Sequence, residues 1–391
     1  MYPRLSDLIN DIFGTDIILP VQTYGFFVAM AFLFGGLVVY FELRRKEREK
    51  IILPREKTRI QGKPATMQEL AITALISFII GYKLAGALII YPEFAESPQK
   101  FIFSWQGSWW GGLGLAAIVT YFTYREKQKK KTAKPEKVTE LVYPRQLTGN
   151  IILVAAIFGI IGSKLFDVIE HLDELIKDPV RTLFSFSGLA FYGGLITAAF
   201  AVSIYVERNK IPWAVNADVV APALILAYGI GRIGCQLSGD GCWGMVNADP
   251  KPEWLSFLPD WAWAFNYPHN VIKEGVLIPD CSGSHCYVLD QPVFPTPLYE
   301  TTIAFLFFGF LWIVRKKFKV PGFLFSIYLI LNGTERLLIE QLRVNIRYDF
   351  MGMKVTQATI IAICLIMAGV AGFFFFKWWN SKRKIKIING S

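Results

Sequence analysis

Arg232 and Arg336 lie inside stretches that otherwise read as membrane, ALILAYGIGRIGCQL and LFSIYLILNGTERLLIEQL. A charge at the bilayer centre costs at least about 2.5–3.5 kcal/mol on insertion scales, so such residues face a protein interior and mark function. Guanidinium is planar, permanently ionised and matches phosphate with a two-pronged fork of donors. Two of them point to a pocket for a phosphate-bearing lipid headgroup. The competing reading is a structural ion pair with Asp218, Asp240, Glu335 or Glu340. Arg232 is also bracketed by Gly229, Gly231 and Gly234 and followed by a glycine-rich exit with Asp240 and Gly244. Glycine lets backbone turn and approach a ligand, and irregular backbone at membrane depth is tolerated only where it is buried or lines a cavity.

The elements that must position these residues are membrane helices. The chain has 391 residues, 53% hydrophobic and only 18% charged, with 11 Trp and 32 Phe; its mean hydropathy is +0.39. Apolar blocks of about 20 residues are long enough to cross a bilayer as helix. The sequence predicts an all-α polytopic membrane bundle of about nine spans, roughly 19–41, 68–91, 107–124, 148–170, 188–206, 214–237, 297–314, 321–342 and 355–378. The net charge of +10 does not signal nucleic acid, because the charges cluster between apolar blocks. With the N-terminus outside, alternate loops hold 28 of the 41 Lys and Arg, which sets an N-out/C-in orientation by the positive-inside rule. We see no cleavable signal peptide; the first block reads as an anchor.

This organises the chain into residues 1–67 (first span and basic cytoplasmic loop), 68–147 (a first helical hairpin and basic loop), 148–212 (a second hairpin), 213–245 (the Gly-Arg span), 246–296 (an outward loop) and 297–391 (the last spans and basic tail). The two hairpins are a repeat. Each has a G-x-K-L span, an outward loop and a double glycine, so that Lys83 matches Lys164 and Gly111-Gly112 matches Gly193-Gly194. Both copies start on the same side, unlike the inverted repeats of transporters. Double glycines also serve close helix packing. The outward loop is rich in Trp and Pro and reads as a small folded loop; the alternative is a loop lying on the headgroup layer. Its CSGSHC segment offers a Cys281–Cys286 disulfide, with pairing of Cys242 to either as the other option. A metal site from Cys242, Cys281, His285 and Cys286 has unusual spacing, and Cys364 reads as a small apolar residue.

The segment GRIGCQLSGDGCWG, together with SGLAFYGGLI, PTPLYE and NGTERLLIEQLR in that order, resembles the prolipoprotein diacylglyceryl transferase family, whose signature begins Gly-Arg and exits on Gly. The family has seven spans. The duplicated hairpin accounts for two more here, and residues 148–206 are the copy that corresponds. The resemblance implies an enzyme of the bacterial inner membrane, with its site toward the periplasm, that moves diacylglyceryl from phosphatidylglycerol to the lipobox cysteine of a prolipoprotein signal peptide and releases glycerol phosphate. It implies membrane lipid as a partner, no nucleic acid, no metal and no soluble cofactor. Carried over by position, Arg232, Arg336, Tyr192 and Glu340 are the catalytic candidates. Tyr24, Gly193, Gly194, Gly234, Asp240, Gly244, Tyr299, Glu300 and Arg343 are the substrate-binding candidates. Arg336, Glu340 and Arg343 fall on one helical face at i, i+4, i+7, and Glu340 and Asp240 are expected to orient the arginines. Departures are specific: Tyr192 stands for the family's histidine, Cys235 for an Asn, Asp240 for a Glu and Asn332 for a Tyr. A phenol of pKa about 10 is a poor base near neutrality, which leaves His171 and His269 as positional candidates for one. The alternatives are a related transferase with another acceptor, or a non-catalytic lipid-binding paralogue or subunit of an envelope complex.

Overall fold

A computed structural model of the protein describes all residues except 62–63, 97–100, 103, 132–135, 179–181, 183–189, 282, 346, 351–352 and 389–391; residues 187–189, which open the SGLAFYGGLI stretch, lie outside the described residues. The chain is helical: α1 (Leu5–Phe13), α2 (Thr23–Arg48), α3 (Met67–Ile89), α4 (Tyr91–Glu96), α5 (Trp109–Lys129), α6 (Thr148–Glu170), α7 (Leu172–Lys177), α8 (Phe191–Arg208), α9 (Trp213–Ser238), α10 (Thr296–Val314), α11 (Phe323–Glu340) and α12 (Gln357–Ile388). The only sheets among the described residues are three two-stranded ribbons. Among the described residues, nine helices have at least 18 residues, and they overlap the nine apolar stretches. Six of these, α2, α3, α6, α9, α10 and α12, are long and apolar enough to cross a membrane. The molecule is an all-α, multi-pass membrane protein.

The chain forms two compact units. One comprises Met1, residues 24–55 and residues 143–391; the other comprises residues 2–23 and 56–142. In the larger unit α9 is the central helix: 61% of its apolar window is buried, against at most 39% for any other candidate span. Ala221 and Ile225 of α9 meet Ala304 and Leu311 of α10 and Leu324 of α11 in one buried cluster. Small residues at such contacts let helices close on one another where lipid supplies no hydrophobic drive.

Two buried carboxylates fix helix ends in this unit. Asp218 of α9 accepts the backbone N–H groups of Gly322 and Phe325, at 2.9 and 3.0 Å. It therefore satisfies orphan donors at the start of α11 and is not a partner of either membrane arginine. Glu42 of α2, 1% exposed, pairs with Arg45 at 2.6 Å and with Arg315, just past α10, at 2.7 Å.

The repeat is a physical one. In one copy α3 packs on α5, and a Cβ at Gly111 would strike Ala85 and the Gly81 carbonyl. In the other α6 packs on α8, and a Cβ at Gly193 would strike Phe166 and the Gly162 carbonyl. The same hydrogen bond closes both hairpins, Ser108 N–H to Tyr82 O at 2.9 Å and Ala190 N–H to Ser163 O at 3.1 Å. The lysines have diverged. Lys83 donates to the carbonyls of Phe101, Ser104 and Gln106, whereas Lys164 pairs with Asp167 at 2.9 Å.

Gly162 and Gly159 share α6, yet a Cβ at Gly162 would overlap Thr197 whereas one at Gly159 meets nothing within 4 Å. Gly162→Leu is expected to lower stability by about 1–3 kcal/mol through overpacking, and Gly159→Ala to leave it unchanged or raise it. Thermal unfolding of the purified protein in detergent checks both.

Candidate active site

Three cations converge on one carboxylate. Glu300, one turn into α10, is fully buried. Its Oε2 lies 2.5 Å from Arg232 Nε of α9, and its Oε1 lies 3.4 Å from Arg343 and 4.0 Å from Arg336 of α11. Arg336 also pairs with Glu340 at 3.2 Å, whose other oxygen accepts from Asn345 at 2.6 Å. The Arg232 guanidinium sits 5.1 Å from the centre of the Tyr228 ring, a cation–π contact at i,i+4. Tyr228 in turn donates to buried Glu335 at 3.2 Å.

These contacts revise three expectations. The carboxylate that holds Arg232 is Glu300; Asp240 instead accepts the Cys242 backbone N–H at 3.2 Å. The helical face ends early: α11 stops at Glu340, and Arg343 reaches Glu300 from the turn beyond it. Neither histidine joins the cluster. His171 lies on Asp167 at the end of α6, and His269 bonds the His285 carbonyl in the outer loop.

Other candidates act on shape. A Cβ at Gly234 would lie 3.0 Å from Phe27 and 3.3 Å from the Tyr24 Cα, so this glycine lets α2 lie against α9. A Cβ at Gly244 would lie 2.5 Å from the Leu342 carbonyl; the strand there is tied by Gly244 N–H to Phe294 O and Met245 N–H to Leu342 O. Tyr299 donates to the Ala262 carbonyl at 2.9 Å, fastening α10 to the outer loop. Tyr192 stands half-exposed on the first turn of α8, and Gly193 and Gly194 face α6. Sequence reasoning missed Tyr228 and Asn345. The signal for Tyr228 was its place one turn before Arg232; Asn345 had none.

The loop between α9 and α10 is folded, with its own core of Tyr267, Leu289 and Val293. A disulfide joins Cys281 to Cys286, which excludes both the Cys242 pairings and a metal site using those two sulfurs. Cys235 and Cys242 form no disulfide. A hydrogen bond from the Cys235 thiol lowers the Cys242 pKa from its ordinary value.

Chemically, the cluster holds guanidinium donors that its carboxylates do not saturate. Arg336 and Arg343 stand far enough from Glu300 to leave donor capacity, and Arg336 Nε is buried without a hydrogen-bond partner. A tetrahedral phosphate accepts from such forks.

Fold and site together define a multi-pass membrane protein with a buried cluster of arginines and glutamates. The sequence profile of prolipoprotein diacylglyceryl transferase matches residues 12–152 and 130–375, and the chain belongs to that family. It is 29% identical over 292 residues to the phosphatidylglycerol–prolipoprotein diacylglyceryl transferase of Leptospira interrogans, covering 61% of this chain and 81% of the relative. It is 31% identical over 262 residues to the enzyme of that name from Clostridium tetani, covering 67% and 88%. With the Symbiobacterium thermophilum enzyme the identity is 31% over 235 residues, covering 58% and 75%.

Removing a buried carboxylate strands the cations it neutralises. Glu300→Ala is expected to cost about 3–5 kcal/mol of stability and Glu300→Gln less, read as the loss of folded protein on heating in detergent. An unchanged midpoint for Glu300→Ala would show that the carboxylate does not hold the arginines.

Proposed function

We propose that this protein transfers the diacylglyceryl group of phosphatidylglycerol to the lipobox cysteine of a prolipoprotein signal peptide. The observation that carries the reading is the convergence of Arg232, Arg336 and Arg343 on buried Glu300. Arg336 is shared between Glu300 and Glu340 and its Nε is buried without a hydrogen-bond partner, so the cluster keeps a donor for an anion that arrives and leaves.

In the reaction the acceptor sulfur forms a bond to the glyceryl carbon. The carbon–oxygen bond to phosphate breaks, and its electron pair stays on the departing glycerol phosphate. Negative charge therefore grows on a phosphate oxygen. Arg232 and Arg336 are the donors placed to meet it, with Arg343 as a third, and Glu300 and Glu340 hold their planes in register. Fixed donors in a site away from water need no reorganisation as that charge develops. Tyr24, Asp240, Gly244 and Tyr299 shape the entrance.

Orientation follows from charge. Arg232 and Arg336 lie near the ends of their helices and Glu300 near the start of its own. The basic turns Arg208–Lys210 and Arg315–Lys319 cap the opposite ends. With basic loops inside, the site opens to the periplasmic side of the inner membrane.

Expression in cells depleted of their own transferase tests the proposal. The chain is expected to restore lipidation of a reporter prolipoprotein, read as a mass increase on the lipobox peptide. Arg232→Ala and Arg336→Ala are each expected to cut the transfer rate about 10²–10³-fold. Arg→Lys changes at these positions are expected to rescue poorly, because ammonium lacks the fork. Absence of lipidation with folded protein in the membrane overturns the proposal.

A further inference from the structure

Two of the positions where this chain departs from the family signature, Cys235 and Asp240, lie close together, with Cys242 beside them. Cys235 opens the last turn of α9, which runs to Ser238, and Gly239 and Gly241 follow with φ of 65° and 85°. This left-handed geometry, natural to glycine, folds the chain back so that Cys242 returns beside Cys235. The loop is pinned there. The Cys242 backbone N–H donates to Asp240 Oδ1, and its carbonyl accepts from Thr296 Oγ1 at 2.7 Å. One ligand atom each from Cys235, Asp240 and Cys242 lies within 4.8 Å of the others. Around tetrahedral zinc, with Zn–S near 2.3 Å, two sulfurs stand about 3.8 Å apart, so small side-chain rotations close the set.

We propose that Cys235, Asp240 and Cys242 bind a soft divalent cation, zinc by its ligand chemistry, whose fourth position takes the acceptor thiol. Two thiolates and a carboxylate select zinc over the hard cations calcium and magnesium. Three protein ligands with one open position is the arrangement of reactive zinc sites; structural sites use four. Cys235 is buried while Asp240 and Cys242 are partly exposed, so a fourth ligand has an approach. The charges close as well. Three anionic ligands around Zn²⁺ leave one negative charge, and the Arg232 guanidinium lies 4.0 Å from Cys235 Sγ.

The placement supplies what the arginine cluster lacks. Cys235 is three residues past Arg232, and Thr296, which holds Cys242, is one turn before Glu300. The metal would thus sit one helical turn from the phosphate-binding cations. A thiol bound to zinc loses its proton outright; here that proton passes to solvent. The thiolate then attacks the glyceryl carbon, glycerol phosphate departs with the bond pair, and the thioether product, a poorer ligand, leaves the metal. No histidine is required. The assigned role of the metal rests on the transferase reading, whereas metal binding does not.

The test uses the full chain, purified in detergent, reduced, freed of metal and loaded with zinc or cobalt(II). We expect one zinc per chain and a thiolate-to-cobalt charge-transfer band. Both should persist in Cys364→Ser and be lost in Cys242→Ser. Asp240→Asn should weaken zinc by more than the roughly 10–100-fold typical of losing an outer partner. Thermal midpoints near that of the unaltered chain establish that the variants are folded. Three results overturn the proposal: folded, reduced protein that retains no zinc; zinc retained equally by a Cys235→Ser/Cys242→Ser double variant; or lipidation at full rate after complete removal of the metal. Zinc bound at these residues in a protein that never lipidates a prolipoprotein sinks the transferase reading and the thiol role with it, while the metal site stands.

Discussion

The organisation of this protein depends on one carboxylate without water. Glu300 is fully buried, and a lone ion in such a place is so costly that it must be matched. It is matched by three guanidinium groups from α9, α11 and the turn after α11. Each pulls its element toward the start of α10. Neutralisation, helix placement and readiness for an anion are thus one arrangement. The carboxylate thereby keeps the three forks apart and aligned.

The rest of the larger unit serves that arrangement. The central position of α9 follows from its small residues: Gly229 admits Ala304 and Phe305, and Gly234 admits Tyr24 and Phe27. Asp218, far along the same helix from Arg232, grips the first turn of α11. One helix therefore carries Arg232 at one end and positions the helix of Arg336 from the other. The outer loop is stapled by Cys281–Cys286 and fastened to α10 through Tyr299, which steadies the entrance.

Much of this was legible in the residues. Apolar blocks fixed where the long helices run, because length and hydropathy are local properties. Arg232 and Arg336 announced themselves by their cost in a membrane, and a family resemblance supplied Glu300, Glu340 and Arg343. Pairing was not legible. Asp240 was expected to hold Arg232, but which acid meets which base depends on how α9 and α10 cross, and no local pattern encodes that. The end of α11 at Glu340 was hidden for the same reason: an i+7 spacing reads as helix whether or not the helix continues. The meeting of Cys235 with Cys242 depends on two left-handed glycines, whose φ a sequence only permits. The glycine pairs were read correctly in their plainer sense, since Gly193 and Gly194 face a neighbouring helix.

The doubled hairpin has a topological consequence. A helix pair that goes out and comes back has even parity, so a copy can be spliced in ahead of α6 without turning anything after it upside down. A single extra helix would have inverted the arginine cluster and the loop with its disulfide. Both copies keep the closing hydrogen bond and the glycine seam, while Lys83 and Lys164 take different partners.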